Sequence, residues 1–218
     1  MEEKLEVGIT VNGIMNVGNW LYNNIAPQLQ GPTRDTFLKS KIIQERLSAA
    51  LIAAVASFTS KKVWIPAFLD EENSAVDAVV IDVNGSGADV QTVSTKPTNL
   101  DITEEVWSAI EKKHNKGKNY GRHIHLVIFS LNQHYKINLN KLLKRLKKVS
   151  IFWSYWLIVP YGKSSDCIFI INHLFGENIK RPYQYVVDFT PPRSVSIGFF
   201  RSFLKGNSLI KLSDFLKS

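Results

Sequence analysis

The spacing of apolar residues predicts one long helix followed by three strands. From Arg34 to Phe58 the chain has no glycine or proline, and its apolar residues recur at helical spacing, as they do on a helix with one buried face. Residues 62–68, 75–83 and 88–95 are rich in β-branched side chains and predict strands. Because the turn sequence Asn84-Gly85-Ser86-Gly87 separates the last two, we expect them to form a hairpin.

Helices and strands are expected to alternate in the second half of the chain. Asp101-Ile-Thr-Glu104 has the spacing of a capping box and predicts a helix that runs to about Lys116. A basic amphipathic helix follows, with Asn138 or Asn140 as its cap. Further strands are expected at residues 123–130, 155–161 and 167–171. The first of these is apolar on both faces at residues 126–129, as in a central buried strand.

This order of elements predicts an α/β fold in which helices flank a mixed β-sheet. We divide the chain into an N-terminal appendage at 1–33, a core domain at 34–182 and a C-terminal extension at 183–218. Within the appendage, residues 6–15 predict a strand or hairpin around Asn12-Gly13, and residues 20–29 predict a short helix. The extension receives no functional assignment.

The composition is that of a globular protein. The 218 residues are 44% hydrophobic and 21% charged, which excludes a disordered or coiled-coil chain. The longest nearly uncharged runs are shorter than the roughly twenty apolar residues that cross a bilayer. The acidic start Met1-Glu2-Glu3 predicts no secretory signal, and the single cysteine, Cys167, excludes an internal disulfide. We therefore expect a cytoplasmic protein that does not associate with membranes.

Positive charge is concentrated in one part of the chain. The net charge is +8, yet residues 112–148 contain eleven Lys or Arg residues and no Asp or Glu. A surface of one sign favours a polyanion, because contact with phosphates releases counterions. Nucleic acid, and DNA first, is the predicted partner, although a solvated basic face is the alternative. The candidate contacts are Lys112, Lys116, Lys118, Lys141, Lys144, Arg145 and Lys148.

A glutamate interrupts the apolar stripe of the first long helix. That stripe is predicted to contain Leu38, Ile42, Ala49, Ile52 and Ala56. Glu45 lies on it, and a carboxylate that faces a core costs several kcal/mol unless it is paired, protonated or bound to a cation. A salt bridge to Lys41 or Arg46 is one explanation, and a cation is the other.

Polar residues also interrupt the predicted hairpin and the helix after it. Asp77 starts an otherwise apolar strand, and Asp89 and Gln91 share one face of the returning strand. With a four-residue turn, Asp82 is expected opposite Asp89 as an outward pair. Lys113 continues the apolar stripe of the next helix, so it points inward or to the edge of that stripe. The oxygen ligands suit Mg²⁺, the type of hard cation that assists phosphodiester hydrolysis.

A glutamate on the first core helix, an aspartate at the start of a hairpin strand, and an acid or amide with a lysine after it resemble the PD-(D/E)XK superfamily. These are the restriction-endonuclease-like nucleases, and the resemblance covers about residues 34–161. It implies a restriction-endonuclease-like core that hydrolyses DNA phosphodiester bonds with Mg²⁺ or Mn²⁺. It also implies that Glu45 is the helix acid and Asp77 the first hairpin acid, both of them metal ligands.

Two registers are open for the third element of that resemblance. Either Asp89-Val90-Gln91 is the triplet, with Asp89 a metal ligand and glutamine in place of the lysine, or Gln91 takes the acid position and Val93 the lysine position. In the second register, which we favour, Lys113 supplies the amine. The main alternative to a nuclease is a non-catalytic nucleic-acid-binding module on the same fold. A third is a metal site of His123 and His125 with His114 or His134.

Overall fold

The computed structural model describes residues 5–7, 21–69, 76–96, 101–116, 123–131, 137–149, 151–162, 166–176, 183–191 and 196–201. Its strands are β1 (Leu5–Val7), β2 (Trp64–Leu69), β3 (Ala78–Asp82), β4 (Gly87–Ser94), β5 (Ile124–Phe129), β6 (Ser154–Tyr161), β7 (Ile168–Gly176), β8 (Tyr183–Asp188) and β9 (Ser196–Arg201). Its helices are a π-helical turn (Leu21–Ile25), α1 (Ala26–Leu29), α2 (Arg34–Lys39), α3 (Lys41–Ser60), α4 (Ile102–Lys116) and α5 (Leu139–Val149).

The described strands form one mixed sheet whose spatial order follows the sequence from β1 to β9. The three central strands β4, β5 and β6 are parallel, because α4 and α5 carry the chain back between them. The remaining neighbours pair antiparallel. The predicted α/β fold, a mixed sheet flanked by helices, is confirmed.

Each face of the sheet has its own hydrophobic core. Helix α3 packs on the first face with Val127 and Phe129 of β5, whereas α4 and α5 pack on the second face with Leu126 and Ile128. All four of these β5 side chains are fully buried. The prediction that this strand is central and buried on both faces is therefore confirmed.

The long helix predicted from Arg34 to Phe58 is broken at Ser40. Ser40 has an extended backbone (φ −64°, ψ 125°) and separates α2 from α3. The break separates Leu38 from the rest of the stripe, and it leaves Ile42 in the first turn of α3, ahead of the part of the helix that is continuously buried from Leu47 to Val55. Leu38, Ala49 and Ile52 are buried as predicted, but Ile42 is 60% exposed, so its predicted place in the core is wrong.

The hairpin loop is one residue shorter than predicted. Asp82 and Ser86 close the loop through the bond from the Asp82 amide to the Ser86 carbonyl, and Gly85 takes the positive φ of 80° that this turn requires. The Asp82 carboxylate accepts the amides of Asn84 and Ser86 at 2.9 and 3.0 Å. Asp89 lies opposite Val79, so the predicted Asp82–Asp89 pair is wrong, because the shorter loop shifts the register.

Side-chain caps begin both helices on the second face. The Asp101 carboxylate accepts the amide of Thr103 at 2.7 Å, and the Asn138 side chain accepts the amide of Lys141 at 3.0 Å. Asn138, and not Asn140, is therefore the cap of α5. The amide of Asn138 also donates to the Thr103 hydroxyl at 2.9 Å, so the first turns of α4 and α5 are joined.

The sheet runs across both boundaries that we drew from the sequence. Strand β1 pairs with β2, and β8 and β9 continue the sheet beyond β7. The predicted turn at Asn12-Gly13 lies outside the described residues. Among those that are described, only α3 has the length and apolar composition of a membrane span, and 56% of that stretch is buried inside the fold. It is thus the core helix of the first face.

Candidate functional site

Helix α3 is attached to the end of β4 by a buried glutamine. The Gln44 side chain is 3% exposed, and its amide donates to the Leu38 carbonyl at 2.6 Å. Its carbonyl accepts a hydrogen bond from the Ser94 hydroxyl. Since Glu45 is the next residue, these bonds fix where the glutamate emerges beside the sheet. The sequence contained no signal for this link, because Gln44 and Ser94 are fifty positions apart.

Asp77 is held against β4 by its backbone and its side chain. Its amide donates to the Val90 carbonyl at 3.0 Å, and its carboxylate accepts the amide of Thr92. The hairpin pairs Ala78 with Val90, so the same register places Asp77 across from Gln91. The Gln91 side chain is 3% exposed. The first acid of the predicted site and its predicted amide ligand are thus neighbours.

Four charged side chains from three elements act on one another here, and we call them the acid–lysine cluster: Lys41, Glu45, Asp77 and Lys113. Burial raises the pKa of the Glu45 carboxyl, and the Asp77 carboxylate raises it further, while Lys41 and Lys113 lower it. Burial also raises the pKa of the Asp77 carboxyl, against the opposing effects of the Thr92 amide, Lys113 and Lys41. The two acids are therefore close enough to repel.

Glu45 also has the salt bridge that the sequence offered as its alternative explanation. The Lys41 ammonium lies 3.0 Å from a Glu45 carboxylate oxygen, and the Glu45 side chain is 17% exposed. Arg46, the other predicted partner, lies over the Phe68 ring at 5.4 Å. Lys41 and Glu45 are one helical turn apart, and the Lys41 side chain is exposed to solvent. A metal ion that approaches Glu45 therefore competes with a solvated lysine for the carboxylate.

The donor chemistry of the cluster suits a hard divalent cation. Carboxylates of Glu45 and Asp77 and the amide oxygen of Gln91 are the ligand types that Mg²⁺ and Mn²⁺ take. Over the described residues, no group of three or more His, Cys, Asp or Glu side chains is placed to hold a metal. A Mg²⁺ site built on two carboxylates is nonetheless common, because water and substrate phosphate supply the remaining oxygens.

Asp89 occupies a different place from the cluster. It lies opposite Val79 and is half-buried. Because it is two residues before Gln91 on β4, its side chain lies on the same face of the sheet as that of Gln91. The charges that shift the pKa values of Glu45 and Asp77 are those of Lys41, Lys113 and, for Glu45, Asp77. Lys113 of α4 is therefore an amine from another element whose charge lowers the pKa of both acids.

Part of the predicted basic surface is neutralised by a glutamate from the neighbouring helix. Glu104 of α4 binds Lys141 at 2.5 Å and Arg145 at 2.9 Å, and these contacts lower the pKa of its carboxyl to about 2. Arg145 also lies over the Trp107 ring at 5.3 Å. Of the other predicted contacts, Lys112, Lys144 and Lys148 are exposed, as is Lys147. Lys118 and the side chain of Lys116 lie outside the described part of the chain.

The described residues do not assemble the predicted histidine metal site. His114 binds the Tyr155 hydroxyl at 2.9 Å on the second face, whereas His125 binds the Ser154 hydroxyl beside Trp156, on the first face. His123 is exposed and stacks on Trp153, with ring centroids 6.1 Å apart. His134 is outside the described residues. The aromatic pair His123–Trp153 was not anticipated from the sequence, although Trp153 directly follows the basic segment.

Comparisons with protein family models, curated proteins and solved structures find no match to this chain. Its function is therefore inferred from its own residues and their geometry.

Proposed function

We propose that the protein is a metal-dependent nuclease that hydrolyses DNA phosphodiester bonds. The observation that carries the proposal is the acid–lysine cluster, in which Glu45, Asp77 and Lys113 from three separate elements share one electrostatic environment. Two acids with raised pKa values and one amine, grouped on different elements, are an arrangement that stability alone does not favour. The carboxylates suit the metal ion that phosphodiester hydrolysis uses, and a lysine beside them is what the PD-(D/E)XK resemblance implies.

Three residues of the cluster, together with Gln91 beside Asp77, have a role in this proposal. Glu45, Asp77 and Gln91 would hold Mg²⁺ or Mn²⁺, and the bound ion would polarise the phosphate and lower the pKa of water. Lys113 offsets the charge of the two acids and would orient the phosphate or the attacking water. The register in which Lys113 supplies the amine is favoured over the Asp89-Val90-Gln91 triplet, because Lys113 acts on both acids.

The exposed lysines of α4 and α5 would hold the DNA backbone. Lys112, Lys144, Lys147 and Lys148 are exposed, and each can make a phosphate contact without breaking an ion pair seen in the fold. The exposed His123–Trp153 pair offers rings on which an unpaired base can stack. We also propose a cytoplasmic location, which the single buried cysteine supports, because a reducing compartment keeps thiols free.

One observation favours the non-catalytic binding module as a second candidate. Lys41 already pairs with Glu45 at 3.0 Å, and Val93 stands where a catalytic triplet would carry its lysine. If the salt bridge is stronger than the attraction of a cation for Glu45, the cluster is a structural ion-pair network. The protein would then bind DNA through its lysines and leave it intact.

Nicking of supercoiled plasmid by the purified protein tests the proposal. We expect cleavage that requires Mg²⁺ or Mn²⁺ and is lost in Lys113→Ala, while DNA affinity stays within about twofold, because Lys113 acts on the transition state. Lys62→Ala is the matched control, since it removes one exposed lysine just beyond the end of α3 that is opposite to Glu45. It should cut like the wild type.

Three results would contradict the nuclease. Wild-type protein that binds plasmid, branched and single-stranded DNA yet cuts none of them with either metal would favour the binding module. Cleavage that persists in both Lys113→Ala and Asp77→Asn would show that the cluster is not the active site. Loss of activity in Asp89→Ala, with Lys113→Ala close to normal, would select the other register.

A further inference from the structure

A cavity of about 300 Å³ lies between α3 and the first face of the sheet. Its walls are largely aromatic and aliphatic. The lining residues are Ile52, Val55, Ala56, Thr59, Trp64, Val80, Ala88, His125, Trp156, His173, Tyr183 and Tyr185. Within the described residues, no Asp, Glu, Lys or Arg side chain lines it. A preformed, mostly apolar concavity with a few polar groups is the usual form of a small-molecule site.

Two aromatic rings form a flat platform in this cavity. The Trp156 and His173 rings stack with centroids 3.6 Å apart and 12° between their planes. The indole nitrogen of Trp156 donates to the Ser154 hydroxyl at 2.7 Å, and that hydroxyl also binds His125. These hydrogen bonds fix the orientation of the Trp156 ring. A planar ligand would stack on the Trp156–His173 pair.

The cavity is polar at two points but carries no formal charge. Burial lowers the pKa of His125 to about 4 and that of His173 to about 3, so both imidazoles are neutral at pH 7. The Nε2 atom of His173 is buried and has no hydrogen-bond partner among the described residues. This atom has almost no accessible surface and packs beside Gly176, so a ligand in the cavity would not contact it.

The volume of the cavity limits the size of the ligand that it can hold. An apolar void of roughly 150 Å³ accommodates one benzene ring, so twice that volume accommodates two fused rings. A charged group would enter this cavity without a counter-charge, which costs several kcal/mol. We propose that the cavity binds an uncharged, planar aromatic molecule of two fused rings, of the size of indole or a purine base.

This site is separate from the acid–lysine cluster. None of Lys41, Glu45, Asp77 and Lys113 lines the cavity, and Gln91 shares its face of β4 with Val93, which packs in the second core. The proposal therefore stands whether or not the protein cleaves DNA, and its test needs no metal and no nucleic acid.

Calorimetric titration of the full chain with indole and with adenine tests the proposal. We expect saturable one-to-one binding with a Kd below about 1 mM and a rise in Tm at saturating probe. Indole-3-carboxylate is the matched control, because it has the same rings and a negative charge. It should bind at least about tenfold more weakly, since its carboxylate would be buried without a cation.

Two variants locate the binding. Ala56→Phe fills the cavity and should weaken indole binding at least about tenfold, whereas Ile42→Phe adds the same ring at an exposed position of α3 and should bind like the wild type. His173→Phe keeps a stacked ring beside Trp156 and should bind both probes within about threefold of the wild type, because stacking and not the imidazole nitrogen holds the ligand.

Several outcomes would overturn the proposal. No saturable heat with either probe up to millimolar concentration would show that the cavity does not take this class of ligand. Equal affinity in the wild type and Ala56→Phe would place any binding elsewhere. Equal affinity for indole and its carboxylate would contradict the requirement that the ligand be uncharged.

Discussion

At the scale of the residue, the buried position of the Asp77 carboxylate lowers the stability of the metal-free protein and favours the binding of a cation. Its carboxylate is held by the Thr92 amide, yet burial outweighs that bond and raises the pKa of the group. Glu45 is in the same situation, and the two charges repel. Acids with raised pKa values that approach each other are typical of functional sites, where a ligand offsets the cost.

Asp77→Asn should make the metal-free protein more stable and insensitive to magnesium. The amide can still accept the Thr92 hydrogen bond but carries no charge to desolvate. We expect Tm at pH 7.5 to rise by about 2 to 4 °C, the shift that about 1 kcal/mol produces in a chain of this length. Added Mg²⁺ should then raise the Tm of the wild type and leave that of the variant unchanged.

The sign of the accompanying pH dependence follows from the raised pKa. As pH rises from about 4, the unfolded chain loses its Asp77 proton first, so the folded state becomes less stable until its own higher pKa is passed. The wild type should lose stability across that window more steeply than Asp77→Asn, as measured by urea denaturation. Glu111→Gln, which removes an exposed acid of α4, is the control. Parallel pH profiles for the wild type and Asp77→Asn would contradict this account.

At the scale of the element, the position of α3 depends on Gln44. The helix begins after the break at Ser40, so the bonds of Gln44 to Leu38 and Ser94 fix both its phase and its distance from β4. These bonds also fix the position of Glu45, because it is the next residue on the same helical turn. The break that spoils the predicted apolar stripe is thus part of what directs the glutamate toward Asp77.

Gln44→Leu should destabilise the protein by about 1–3 kcal/mol, because a side chain of similar volume leaves a buried carbonyl without its donor. Guanidinium denaturation measures the loss, and plasmid nicking should fall with it if Glu45 is a metal ligand. Gln28→Leu replaces an exposed glutamine of α1 and should stay within about 0.5 kcal/mol of the wild type. Equal effects of the two substitutions would show that the Gln44 bonds add no stability.

At the scale of the whole molecule, the basic surface is smaller than the run of lysines in the sequence. The stretch 112–148 has no acid of its own, but Glu104 of α4 holds Lys141 and Arg145. The positively charged side chains that remain available to bind a polyanion are the exposed lysines of α4 and α5, among them Lys144, Lys147 and Lys148. Helix packing, and not only the sequence, therefore determines where positive charge is exposed on the surface.

Salt dependence of DNA binding should reveal which cations are engaged. Replacing Lys144, Lys147 and Lys148 together with glutamine should flatten the slope of log affinity against log salt by up to about three. Glu104→Gln should steepen it by up to about two, because Lys141 and Arg145 are released. The measurement is fluorescence anisotropy of labelled DNA across a salt series.

The control for that experiment carries the same change in charge elsewhere. Replacing Lys39, Lys61 and Lys62, which are exposed and outside the basic stretch, should alter the slope by less than about one. If both triple variants flatten the slope equally, binding follows net charge, and the lysines of α4 and α5 form no specific surface.

By itself the sequence determined the elements of the core and nominated the residues of the site. Helical and strand periodicity are local properties, so the order from α3 to β7 and the buried strand β5 could be predicted. The caps at Asp101 and Asn138 are local as well, since each bonds a backbone amide within three residues. Glu45, Asp77 and Lys113 were identified because each interrupts an apolar pattern of its own element.

The tertiary structure decided what depends on contacts between residues distant in sequence. The break at Ser40, the register that separates Asp82 from Asp89, and the continuation of the sheet through β8 and β9 follow from pairing and packing that no local pattern encodes. The effect of the Lys113 charge on two acids outside α4, the capture of Lys141 and Arg145 by Glu104, and the cavity beneath α3 arise in the same way. Electrostatic energy and burial depend on distance in space, and only the folded chain sets those distances.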